Sequence, residues 1–190
     1  MADLAWVGAT AWAALYCSDY YLTLACARLY AQQDKIKFEG SYELNPLFEA
    51  EVDALKRLSP SFVAILIVST MALFFLEKFT EPEMHDFYLF MLGSVLLMQL
   101  TIHVRHLRNW LLFRHAISTD AITGHLEYRR SILLRASAFE ILEFGVLYAF
   151  IYAFTPAGPF ALGGAFGCAL SAIGQYRLAR THNRPAVRTS

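Results

Sequence analysis

Five apolar runs, at about residues 5–27, 62–79, 87–110, 132–154 and 160–177, take up most of this 190-residue chain and leave it little freedom of fold. Hydrocarbon about 30 Å thick is crossed by about 20 helical residues, and each run is close to that length. Backbone in lipid must satisfy its own hydrogen bonds, so runs of this kind become helices. The sequence therefore predicts an all-α polytopic membrane bundle of five transmembrane helices, a single membrane domain over residues 1–190. Composition agrees, with 57% hydrophobic and 17% charged residues, against about 25% charged in an average soluble domain. The first run has no basic leader and no cleavage pattern, so it reads as a retained span.

Orientation follows from the cations. When five spans alternate, all 16 lysines and arginines except Lys78 fall on one side. Basic residues of short loops stay in the cytoplasm, which predicts the N-terminus outside and the C-terminus inside, in a bacterial cytoplasmic membrane. The lipid bilayer is then the first partner. Net charge is +0, so no global field draws in nucleic acid, and basic residues beside membrane ends suit anionic headgroups. Cys17, Cys26 and Cys168 lie within runs, form no C-x-x-C pair and read as small packing residues. Walker-type, G-x-G-x-x-G and G-x-S-x-G motifs are missing, so no nucleotide is expected. The histidines at the membrane edge share one run, which argues against a bis-imidazole haem.

Polar residues inside the runs carry the functional signal. Glu140 and Glu143 stand in an otherwise apolar stretch, where a charge at mid-membrane costs about 2.5–3.5 kcal/mol and implies a partner, a cavity or an ion. Gln99, His103 and His106 follow at i, i+4 and i+7 and share a helix face, whereas Arg105 and Arg108 project elsewhere. Asp19 in the first run is about as deep as Glu140. Together these spacings predict Asp19, His103, His106, Glu140 and Glu143 in one slab of the inner leaflet, with Glu43 entering from below. Two compensators fit. Arg105, Arg135 and the histidines could form a buried polar network. Alternatively, a bound ion does it: a proton, or a divalent transition metal such as zinc, iron or manganese held by Glu-x-x-Glu and His-x-x-His on neighbouring helices. Neither motif is the specific H-E-x-x-H signature.

Between the first two runs, Asn45 reads as an N-cap and Pro46 as the first position of an interfacial amphipathic helix over about 46–58. Segment 114–131 reads as a solvated connector broken at Gly124, or else as a small hairpin beneath the bundle. In the fifth run Gly163, Gly164 and Gly167 make small-x-x-x-small steps, a packing face for this chain's own helices, for a partner helix or for a homo-oligomer.

Asp19-x3-Thr23, Gly40 and Glu43-x-Asn45-Pro46 resemble a family of small bacterial polytopic membrane proteins of unknown function. That family shares an Asp-x3-Thr first span and an acid-x-Asn-Pro turn, and the likeness covers about residues 15–50. It implies that Asp19, Thr23, Glu43 and Asn45 act as one unit and lends no activity. The functions expected are an ion-linked transporter or channel subunit, for metal or proton, or a membrane-embedded metal-dependent enzyme acting on a lipid or apolar substrate. A non-catalytic subunit of a membrane complex is the third. Beyond Glu143 the run is nearly all apolar, which favours a site open to one side.

Overall fold

The computed structural model describes residues 4–119 and 122–182. Five long helices, α1 (Leu4–Gln32), α3 (Pro60–Phe79), α4 (His85–Thr119), α5 (Arg130–Phe154) and α6 (Gly158–His182), coincide with the five apolar runs. A short α2 (Glu49–Asp53), a 3₁₀ turn (Pro82–Met84) and two three-residue strands, β1 (Ile36–Phe38) and β2 (Leu126–Tyr128), complete the described elements. Three stretches, Pro60–Phe79, Pro82–Thr119 and Arg130–Phe154, are long and apolar enough to cross a membrane by length and composition. The protein is thus essentially all-helical, with several apolar helices able to span a membrane. α1 and α6 are as long; Asp19 and the Trp and Tyr side chains lower the hydropathy of α1, and glycines that of α6.

Contacts run in the order α3, α1, α4, α6, α5. α4 and α6 approach closely because glycines face each other's backbone: a Cβ on Gly163 or Gly167 would strike the main chain of Phe90 or Ser94, and one on Gly93 the main chain of Phe160. The small-residue face of α6 is therefore occupied within the chain. Tyr148 ties α5 to α4, its hydroxyl within 3.2 Å of Thr101 Oγ1 and 3.3 Å of the Leu97 carbonyl. On the other side Trp12 donates to Ser69 Oγ at 2.7 Å, and Phe62 of α3 stacks on Tyr20 with ring centres 4.2 Å apart.

A polar cap closes the end where α1 and α4 finish and α5 begins. β1 and β2 pair in parallel, Ile36 opposite Leu126 and Phe38 opposite Tyr128, so segment 122–128 joins a distant strand instead of folding into a hairpin. Leu126 N–H donates to the Lys35 carbonyl at 2.7 Å and Glu39 N–H to the Tyr128 carbonyl at 2.9 Å, and Gln33 seals the turn out of α1, accepting from Ile36 N–H at 2.7 Å and donating to its carbonyl at 2.6 Å. The amphipathic helix is shorter than the sequence predicts. Asn45 Oδ1 accepts from Leu47 N–H at 3.1 Å, closing a turn, and α2 begins only at Glu49 with no side-chain cap. The same Asx-Pro signal serves a turn as well as a helix start. Leu55 adopts a positive φ of 49°, which ends the run before 58. α3 then starts as its sequence demands, with Ser59 capping Phe62 N–H at 3.0 Å and Pro60 in the first turn.

Candidate functional site

Parallel packing of α1 and α4 sets the site. Small residues on α1 let the helices meet along their length, from the Tyr88 hydroxyl at the Leu4 carbonyl to Cys26 Sγ, which donates to the His106 carbonyl at 3.3 Å. Asp19 and Thr23, one turn apart on α1, thereby face Gln99, His103 and His106 on α4. Asp19 Oδ1 lies 3.9 Å from His103 Nδ1 and 3.9 Å from His106 Nε2. Thr23 Oγ1 is 3.3 Å from that same Nε2. Asp19 is 16% and His106 9% exposed. Asp19 Oδ1, His103 Nδ1 and His106 Nδ1 are shielded from solvent and have no hydrogen-bond partner. This is a buried His/Asp cluster with unsatisfied atoms pointing inward.

The cluster borders a cavity of about 360 Å³. Asp19, Thr23, Gln99, Arg105, His106 and Glu43 form its polar wall, and Tyr16, Leu44, Phe48 and Ile65 are among its apolar lining. Asn45 stands at its rim on the cap side, where its N–H donates to Glu43 Oε1 at 2.7 Å. Trp12 closes the far end and belongs to a buried cluster with Leu73, Tyr88 and Leu92. A smaller cavity of about 120 Å³ adjoins it, sharing Glu43, Leu44, Arg105 and His106 and adding Tyr42, Asn109 and Glu140.

The two glutamates of α5 are held differently from the arrangement the spacing predicts. Glu140 accepts from Arg108 at 2.6 Å and lines the smaller cavity but not the larger one, while Glu143 is exposed beside Arg105 and Arg108. α5 has no substantial packing against α1, because α6 stands next to α4. Arg105 reaches across to Ser137 on α5 and also borders both cavities. Arg135 lies over the Tyr176 ring, away from the carboxylates. Among the described residues no group of three or more His, Cys, Asp or Glu side chains is arranged to hold a metal ion.

Two contributors escape a sequence reading. Tyr42, buried with its hydroxyl unpartnered, looks like any loop aromatic. Arg130 resembles an ordinary interfacial arginine, yet it is 8% exposed and clasps Glu49, a partner 81 residues away in the chain.

Burial pushes the Glu43 carboxyl above its ordinary value, opposed by the Asn45 and Leu44 N–H groups and by Arg105 and Arg130. A raised folded pKa means that the fold holds its proton more tightly than the unfolded chain. Stability therefore falls as pH rises from the usual glutamate range through the raised value. Glu43→Gln should flatten that fall, gaining on the unaltered protein as pH increases. Thermal unfolding midpoints across a pH series check this, and parallel curves for the two proteins would refute it.

No protein-family model, curated protein or solved structure matches the chain.

Proposed function

We propose that this protein crosses the bacterial cytoplasmic membrane five times, N-terminus outside and C-terminus inside. We read it as an ion-linked transporter or channel subunit whose ion is handled by Asp19, His103 and His106. The observation that carries this reading is Asp19 Oδ1, buried, unpartnered and 3.9 Å from a nitrogen of each imidazole. That gap is too long for a direct hydrogen bond. A buried carboxylate with one oxygen left unpartnered needs neutralising. A proton shared within the cluster, or a small cation between its members, does that. A transition metal would take the same three residues as ligands. Bonds of about 2.0–2.2 Å in tetrahedral geometry would require the donors to draw together by about half an ångström. The proton demands no such movement and is the first ion to test. Glu43, Gln99, Thr23 and Arg105 form the wall past which it would leave, and Asn45 holds Glu43 in place.

One observation favours a second reading, an embedded enzyme acting on a lipid or another amphipathic substrate. Trp12 and the cluster behind it close one end of the cavity, whose lining is partly apolar. A one-sided pocket is what such an enzyme requires, whereas a transporter must also open the other way.

A pH step applied to membranes carrying the full chain on a capacitive support should displace charge as the cluster titrates. Asp19→Asn should reduce that charge about tenfold or more, and His103→Gln should act in the same direction. An undiminished transient in Asp19→Asn, or none in the unaltered protein, overturns the proton assignment.

A further inference from the structure

A separate groove lies between α5 and α6, on the side of the bundle away from Asp19. Its volume is about 470 Å³, within the range of about 300–1,000 Å³ that ligand pockets occupy. Phe139 and Leu142 of α5 and Ile173 of α6 line its apolar length. Arg177 and Arg180 stand at one end, near the C-terminus of α6 and the beginning of α5. Tyr176 gathers cations there: Arg180 lies 5.1 Å and Arg135 5.8 Å from its ring centre. Among the described residues no carboxylate forms an ion pair with Arg135, Arg177 or Arg180.

Three guanidiniums brought together without an anion repel one another, and an anion supplied from outside relieves that repulsion. The ligand must also be apolar over most of its length, because the rest of the groove is. An anionic phospholipid meets both demands, its phosphate at the guanidiniums and an acyl chain along Phe139, Leu142 and Ile173. Basic pockets between membrane helices at the cytoplasmic face bind such headgroups. We infer that the α5–α6 groove is a binding site for an anionic phospholipid of the inner leaflet. This rests on the membrane-spanning, C-terminus-inside reading above and is independent of the ion site. It also gives Arg135 a role away from the carboxylates, with Tyr176 as the platform that keeps its charge beside Arg180.

Native mass spectrometry of the full chain in neutral detergent, with phosphatidylglycerol or phosphatidylcholine of equal chain length added, tests the inference. Phosphatidylglycerol should bind about tenfold or more tightly than phosphatidylcholine. Arg177→Ala with Arg180→Ala should abolish the preference, and the corresponding lysine pair should restore part of it. Ile173→Trp, which fills the groove and leaves the charges, should weaken both lipids. Equal binding of the two lipids, an unchanged preference in the double alanine variant, or full displacement of phosphatidylglycerol by millimolar inorganic phosphate overturns the assignment. Asp19→Asn should bind phosphatidylglycerol as the unaltered protein does, so loss of the ion site and loss of the lipid site are distinguishable. A chain that did not partition with membranes would remove the spanning reading itself, whereas equal lipid binding by a membrane-integrated chain would remove only this one.

Discussion

Gly163→Ala should destabilise the protein by about 3 kcal/mol or more, the upper end of what overpacking a tight contact costs, although it adds a single methyl group. That methyl would land on the Phe90 carbonyl of α4 and close to Ser94 N. A flexible side chain could swing away; backbone inside a helix cannot, so α4 and α6 must separate. Separation is especially costly between helices in lipid, where close van der Waals packing supplies much of the association. Gly174 on the same helix is the matched control, since a Cβ there meets nothing within 4 Å. Gly174→Ala should be neutral or stabilising by about 0.5–1 kcal/mol, as alanine is the better helix former. Unfolding in detergent measured on both variants decides the matter, and equal midpoints would mean that the α4–α6 contact is looser than described.

Replacing Arg130 with methionine should release the cap from the bundle. Its guanidinium donates to both carboxylate oxygens of Glu49, at 2.7 and 3.3 Å, and to the Glu43 carbonyl at 3.4 Å. Its own N–H donates to Glu39 Oε2 at 3.2 Å. Gly40 permits this approach: at φ 85° it turns the chain, and a Cβ there would come within 3.1 Å of the arginine. Breaking a buried ion pair costs about 3–5 kcal/mol, and the low end applies because Glu49 is 35% exposed and partly solvated. Amides of residues 36–53 should then exchange faster, by about two powers of ten, with those of α4 and α6 unchanged. Arg130→Lys, which keeps the charge and loses the fork, should fall between. Replacing Glu49 as well should recover much of the loss, because no carboxylate is then stranded. Unaltered exchange over residues 36–53 would show that the cap is held by its aromatic contacts, Tyr30, Phe38, Tyr42 and Phe113, instead. The cap carries Glu43, Leu44 and Asn45 to the larger cavity, so its release also opens the site.

Half of the candidate site could be read from spacing. Gln99, His103 and His106 share a face by helical periodicity, and Asp19 and Thr23 share another one turn apart. Counting residues from the span ends puts both sets at one depth. Because the first and third spans run in the same direction, side-by-side packing brings the sets together, as it does here. Glu140 and Glu143 obey the same counting and yet lie elsewhere. Their neighbour is not the one that counting suggests. Arg108, which spacing sends away from the histidine face, is the residue that reaches Glu140. Likewise Asn45-Pro46 reads from sequence as the start of a helix, but Asn45 closes a turn and α2 begins only at Glu49. Glu51 accepts from Ser59, the cap of α3.

Taken alone, the sequence determined that five helices form, about where each begins, that neighbours in the chain alternate in direction, and that cations gather at one end. Each of these is a local property, fixed by the length, hydropathy and charge of a single stretch. The tertiary structure decided which helices touch. All five helices carry apolar surface, so hydropathy is a poor guide to their pairing. Pairing follows from shape, and Gly93, Gly163 and Gly167 let α6 sit against the backbone of α4 where bulkier residues would stop it. With α6 in that place α5 is kept from α1, Asp19 lies beside the histidines of α4, and Glu140 of α5 pairs with Arg108 instead.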